Sequence, residues 1–250
     1  GGGTQSTAMC ALIIEGRLPK PDYIVIADTG REMPTTWTYL DAVVRPALKG
    51  IGVEVSRIPL GKYVSQNVEG VFTLNNDLII PAYSNLNGAS KLSNFCTKEW
   101  KVRIVDRWLS RNHGVTRGMY RKWIGFSADE PRRVLKTQET HDYKKGLIYF
   151  PLVDLRIRRA DAIALVEKMG WPKPPRSRCY MCPNQSDYEW SEVKNDHPDK
   201  WEQSVALDES IRERDPHAFL HSSIKPLREA RFNQQDDLFS GSCPSGECFT

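Results

Sequence analysis

Short apolar runs, broken by Gly, Pro and polar clusters, carry most of the pattern, and their period switches between helix and strand. Ala8-Met9-Cys10-Ala11-Leu12-Ile13-Ile14 is apolar all round and predicts a helix over 5–15 buried on most of its sides. Tyr23-Ile24-Val25-Ile26-Ala27 is a continuous apolar run, as a short buried parallel strand reads. Pro34 opens a second helix to about Lys49, with Pro46 as a place for a kink. Val53 to Ile58 alternates as a strand. Residues 61–94, rich in Asn, Gly and Ser, read as a long loop or small hairpin over the site, with short strands at 71–73 and 77–80. Helical periodicity returns from Cys96 to Leu109. Strands are expected at 122–126 and 147–153, and an amphipathic helix from Ala160 to Met169 closes at Gly170. Trp171 to Arg176 is a proline-rich connector, 186–231 is polar and helical, and the last ~15 residues read as a flexible tail. Alternating strands and helices predict an α/β fold. The expected architecture is a three-layer α/β/α Rossmann-like domain over 1–175 and a helical, cysteine-bearing region over 176–250.

Length and composition fit that picture. The chain has 250 residues, 40% of them hydrophobic, enough for a real core. No apolar run approaches a membrane span and no signal-peptide pattern is present, so a cytoplasmic chain without a membrane partner is expected. Net charge is only +4, but it is uneven. From Lys91 to Lys136 there are 12 Lys/Arg against 4 Asp/Glu, with Trp100, Trp108, Tyr120 and Trp123 interleaved. That stretch is either a groove for nucleic acid or a solvated helix face over core tryptophans.

The candidate chemistry begins at the first residue. Gly1-Gly2-Gly3-Thr4-Gln5-Ser6 is a glycine run opening onto a helix, which leaves backbone N–H groups to surround a phosphate or sulfate. The pattern implies a strand before this loop, which the sequence does not contain. Asp28-Thr29-Gly30 follows the first apolar strand, at the carboxyl end where open α/β sheets place ligands. Gly30 and Gly125 would allow close backbone approach. Arg132 and Arg133 are either phosphate-binding or ordinary surface arginines, and Asp129-Glu130 either helix-capping acids or site carboxylates.

Six cysteines in a chain without secretion signals point to a reducing compartment. Cys10 reads as a small core residue. Cys179-Tyr180-Met181-Cys182 is a C-x-x-C, and Cys96 with a tail cysteine, Cys243, would complete four metal ligands. Redox use of the C-x-x-C is the other reading.

In this order the motifs resemble those of the PAPS (phosphoadenylyl sulfate) reductase family, within the PP-loop adenine-nucleotide superfamily. The opening loop is similar to the family's S-G-G-x-D-S, with Gln5 in place of Asp, and Asp28-Thr29-Gly30 to its D-T-G, with Arg31-Glu32-Met33-Pro34 continuing the likeness. Gly125 to Arg133 resembles G-I-R-A-D-E-S-x-x-R, and Phe150 to Asp154 resembles its P-L-x-D segment. Cys96 with Lys101-Val102 and Cys179 to Pro183 resemble the cysteine segments of sulfonucleotide reductases. The chain departs in carrying a single Cys96 where cluster-containing members have a tandem pair. Its tail reads Glu247-Cys248-Phe249-Thr250 where the family ends in E-C-G-[IL]-H. The resemblance implies an adenine nucleotide (PAPS, APS or ATP) as ligand, held by Gly1, Gly2, Gly3, Thr4, Gln5, Ser6, Asp28, Thr29, Gly30, Gly125, Arg132 and Arg133. It also implies an iron–sulfur cluster first, zinc second, on Cys96, Cys179, Cys182 and Cys243. Cys248 would attack the sulfur, Cys243 would resolve it, and a thioredoxin-like dithiol would serve as reductant. Two other readings stay open. One is an ATP pyrophosphatase that adenylylates a nucleobase or nucleic acid for sulfur or nitrogen insertion. The other is a non-catalytic, metal-stabilised nucleic-acid-binding module.

Overall fold

A computed structural model describes residues 1–66, 68–86, 88–93 and 95–232. In chain order the main elements are α1 (Thr4–Ile14), β1 (Ile24–Asp28), α2 (Pro34–Tyr39), α3 (Arg45–Lys49) and β2 (Val55–Pro59). Short strands β3 (Val68–Glu69), β4 (Phe72–Thr73), β5 (Tyr83–Ser84) and β6 (Ser90–Lys91) follow, then α4 (Arg103–His113) and β7 (Lys122–Trp123). Next come α5 (Pro131–Gln138), α6 (His141–Lys144), β8 (Ile148–Tyr149), α7 (Pro151–Asp154) and α8 (Arg159–Lys168). The last are α9 (Asp187–Asp196), α10 (Pro198–Arg214) and β9 (Ala218–Phe219). Two compact units result, one of residues 1–63 and 101–178, the other of 64–100 and 179 onward.

The first unit is α/β. β1 pairs in parallel with β2, Ile24 opposite Val55 through Asp28 opposite Pro59, and α2 and α3 make the crossover. β7 pairs in parallel with β8, with α5 and α6 between them. Parallel strands require such crossovers, because a tight turn can only reverse the chain. α1 is buried along Thr4, Thr7, Ala8, Cys10, Ala11, Leu12 and Ile13, as its unbroken apolar run requires, and it packs against α8, α3 and α7. Ile24, Ile26 and Val55 join its core cluster with Leu40, Val44 and Leu48. The helix from Pro34 deforms at a π-helical turn, Leu40–Val44, directly before Pro46, whose ring and missing N–H disrupt the preceding turn. The expected strand over 147–153 ends at Tyr149, because Pro151 starts α7.

The second unit contains most of the segment expected to be a long loop or small hairpin. β3 and β4 form a hairpin, and β5 is flanked by β6 and β9 in an antiparallel sheet, with Tyr83 opposite both Lys91 and Phe219. The expected strand over 77–80 is reduced to one bridge, Leu78 to Phe72. α9 starts with a capping box, Ser186 and Glu189 satisfying each other's backbone amides. α9 packs on α10 through Trp190, Trp201, Val193 and Val205, and Phe232 stacks on Trp190 with ring centres 6.4 Å apart. Among the described residues, no helix is long and apolar enough to cross a membrane.

Candidate functional site

Gly3 is the N-cap of α1, in an extended conformation, and no side chain caps the helix. The first-turn amides have no intrahelical acceptor, and that turn carries no acidic residue. An anion is the complement of such a terminus. The loop's shape is set by neighbours within the first unit. A Cβ on Gly2 would stand 2.6 Å from Thr36 Cγ2 and 3.0 Å from Leu40 Cδ1, so only glycine lets the loop lie on α2. Gly1 faces the hydroxyls of Ser6 and Ser177, and the charges of Lys101 and Glu32 are both felt at Gly1. Gly125, after β7, lies against Gln5, Ser6 and Met9, so the second pair of strands delivers its carboxyl end to the same loop.

Two tethers hold the site together. Glu130 Oε2 accepts from the Ser127 amide and hydroxyl, each at 3.0 Å, and from Gln5 Nε2 at 3.4 Å, while Oε1 pairs with Arg133. Glu130 thus works as an organiser of 125–133 and of Gln5. Asp129 accepts from the Arg159 amide at the start of α8 (3.1 Å), a capping role. On the other side Ser177 Oγ donates to Glu32 Oε1 at 2.6 Å, Thr36 Oγ1 donates to the same oxygen at 3.3 Å, and the Met33 amide donates to the Arg178 carbonyl. Tyr39 donates to the Pro172 carbonyl at 2.9 Å, and burial pushes its phenol up to about 12. The proline-rich connector is therefore fastened to α2, and Ser177 is fixed beside the glycine loop.

At the end of β1, Asp28 Oδ1 accepts the Gly30 amide at 2.8 Å, closing a turn in which Gly30 has φ +67°. That left-handed conformation, not close approach of a neighbour, is what requires glycine here, since no atom lies within 4 Å of its Cβ position. Asp28 Oδ2 meets both Nε (2.8 Å) and Nη2 (2.6 Å) of Arg57, whose guanidinium lies 3.8 Å over the Trp37 ring. Thr29 is buried, and its hydroxyl accepts the Arg31 amide.

Gly1 to Ser6, Gly125 and the Asp28–Gly30 turn are thus all in the first unit, the first two in direct contact. Arg133 is committed to Glu130 and stacks 4.2 Å over Phe126, while Arg132 is exposed on α5. Glu32, Trp37, Arg57, Lys101 and Ser177 are site neighbours that the motifs did not single out as ligand-binding. Only Arg57 carried a usable signal, a charge within the alternating run 53–58, on the same side as Val55 and opposite Ile26.

Cys96, Cys179 and Cys182 all belong to the second unit. The C-x-x-C closes a tight turn, the Cys182 amide donating to the Cys179 carbonyl at 3.1 Å, and the Gln185 side chain ties the Tyr180 and Cys182 carbonyls. Among the described residues no three His, Cys, Asp or Glu side chains converge as a metal-binding group. Cys243 and Cys248 lie outside the described residues. Cys10 is where a core residue should be: burial pushes its thiol up to about 11. At pH 8 its thiolate is then on the order of one in a thousand. Iodoacetamide should leave Cys10 unmodified in the native protein and label it after unfolding, as read by peptide mass spectrometry. Equal labelling in both states would contradict that burial.

No family model, no curated protein and no solved structure matches the chain.

Proposed function

We propose that the chain is an adenine-nucleotide-binding enzyme of the PAPS reductase type, built on a three-layer α/β/α Rossmann-like fold, which converts a sulfonucleotide to sulfite through Cys248. One observation carries the reading. The uncapped amino end of α1, with its glycine loop, adjoins Gly125 and belongs to the same unit as the Asp28-Thr29-Gly30 turn, at the carboxyl ends of parallel strands. Open α/β sheets bind nucleotides in that position. Gln5, tied to Glu130, is neutral, and at Gly1 the charge of Lys101 opposes that of Glu32.

In this chemistry the loop amides and Ser6 hold the sulfate or phosphate, and the Asp28–Gly30 turn lines the adenosine side. The Cys248 thiolate attacks the sulfur of PAPS or APS. The Sγ–S bond forms, the bond from sulfur to the bridging phosphate oxygen breaks, and the nucleotide leaves with the electron pair. A thiolate then attacks Cys248 Sγ, a disulfide forms and sulfite departs. That thiolate comes from Cys243 or from a thioredoxin-like dithiol, which is the net reductant. Cys96, Cys179 and Cys182, with Cys243 where it is not the resolving thiol, would hold an iron–sulfur cluster or, second, zinc. No step of this chemistry runs through that metal.

The second reading, an ATP pyrophosphatase acting on a nucleobase or nucleic acid, has an observation of its own. The Glu32 carboxylate beside Gly1 could take the divalent cation that accompanies ATP. Phe249 and Thr250, where the family's tail has Gly and then Ile or Leu, also favour it. One experiment separates the readings: anaerobically purified protein is incubated with radiolabelled PAPS or APS, and separately with ATP, with and without a dithiol. Dithiol-dependent sulfite release, abolished in Cys248→Ser, is the expected result. Pyrophosphate from ATP without sulfite would move the protein to the second reading. Neither product, with no nucleotide bound, would leave the metal-stabilised nucleic-acid-binding module.

A further inference from the structure

The carboxyl end of the β1–β2 pair holds an ordered cationic plane that the anion site does not use. Ile24, Ile26 and Val55 line one face of the pair and pack into the core with α1 and α2. The next positions on that face, Asp28 and Arg57, are charged, and the Arg57 guanidinium lies over Trp37 of α2. Arg57 is restrained in two ways. Its Nε and Nη2 both donate to Asp28 Oδ2, at 2.8 and 2.6 Å, and its guanidinium carbon lies 3.8 Å from the Trp37 ring centre. Asp28 is itself fixed, because its other oxygen accepts the Gly30 amide. The Arg57 side chain still keeps 42% of its exposure, against 17% for Asp28. The Trp37 ring lies against the guanidinium and Asp28 takes its edge, and the side chain as a whole stays open to solvent.

An Arg that served only to join two strands would need neither the ring against it nor the exposure it keeps. A planar, weakly hydrated cation held in one orientation is a stacking surface for a second π-system, as arginine planes are for unstacked bases. Phosphate is the poorer fit for this group: the carboxylate already takes two of its donors and neutralises its charge.

We infer that Arg57, backed by Trp37 and oriented by Asp28, is the platform on which the purine base of the bound nucleotide stacks, making Arg57 a specificity-determining residue. The inference rests on the nucleotide reading of the glycine loop and adds the place of the base. Stacking on a guanidinium rewards any purine, so the platform distinguishes ligands with a base from ligands without one.

The test is calorimetric titration of the full chain with adenosine 5′-phosphosulfate, with ATP and with inorganic pyrophosphate, comparing wild type, Arg57→Lys and Arg57→Ala. Lysine keeps the ion pair with Asp28 but has no plane to offer, so Arg57→Lys isolates stacking from charge and from strand pairing. Arg57→Lys should bind both nucleotides about ten- to a hundredfold more weakly and pyrophosphate unchanged, with an unchanged Tm; the size is that of losing one stacked base. Arg57→Ala should show the same selectivity with a lower Tm. Nucleotide binding unaffected by Arg57→Lys, or nucleotide and pyrophosphate weakened equally, would overturn the platform while leaving the nucleotide site intact. A wild-type protein that binds none of the three would overturn the nucleotide reading, and the platform with it.

Discussion

Asp208→Ala should destabilise the second unit by about 3–5 kcal/mol, the cost of leaving a buried, fully engaged ionic network without its acceptor. The side chain stands on α10 with no exposed surface. Its Oδ1 accepts the Leu220 amide at 3.0 Å, and its Oδ2 accepts the Leu227 amide at 2.9 Å and Arg212 Nε at 3.1 Å. These contacts clamp the chain leaving β9 and the turn at Leu227 onto one helix. Alanine would leave the Leu220 and Leu227 amides without their acceptor at a buried position, and the quarter-exposed Arg212 without its partner. At about 2–4 °C per kcal/mol for a chain of this size, Tm should fall by on the order of 10 °C. Asp208→Asn, which retains one acceptor oxygen, should fall between the two. Thermal unfolding followed by tryptophan fluorescence reads the effect, since Trp190 and Trp201 lie in the same unit. A Tm within about 2 °C of wild type for Asp208→Ala would mean that the clamp is not what holds the turn.

Gly2→Ala should be the most damaging of the conservative changes in the glycine loop. The added methyl meets Thr36 Cγ2 at 2.6 Å, and Thr36 is itself buried and bound to Glu32, so neither partner can swing away. Overpacking of that kind costs about 1–3 kcal/mol. The larger effect is on ligand binding: a loop pushed off α2 by even an ångström misplaces its amides, and a loss on the order of a hundredfold is expected. Gly1→Ala is the control, because its Cβ would meet only Ser6 Oγ at 3.8 Å and Ser177 Oγ at 3.9 Å, ordinary contacts. The double variant Gly2→Ala/Thr36→Ser removes the clashing methyl and keeps the hydroxyl that reaches Glu32, so it should recover most of both losses. Equal effects of Gly1→Ala and Gly2→Ala on titration and Tm would refute steric selection at Gly2.

The elements read well wherever burial writes itself into a local pattern. The apolar run of α1 and the run at 24–27 are long enough to bury a helix and a strand, and both lie where the period placed them. Reading failed where a proline reset the local choice, as at Pro151, where an apolar run crosses from strand to helix. It failed again where pairing is long-range. Tyr83 pairs with Phe219, a partner that no window around residue 83 contains, so the β5–β9 pairing was not legible in 61–94, which read as a long loop or small hairpin.

By itself, the sequence determined the α/β alternation, the glycine loop opening α1, the Asp28-Thr29-Gly30 turn and the core role of Cys10, because each depends on residues adjacent along the chain. Only the tertiary structure decided which side chains surround the loop. Ser177 reaches Glu32, Gln5 reaches Glu130 and Arg57 reaches Trp37 across separations over which the sequence carries no period. It also decided what Glu130 and Arg133 do, since their motif suits either a ligand or each other, and in the fold their charges are spent on the loop's own framework. Local propensity selects elements; the electrostatics of a site depend on which elements come to share one edge, and that is fixed by packing.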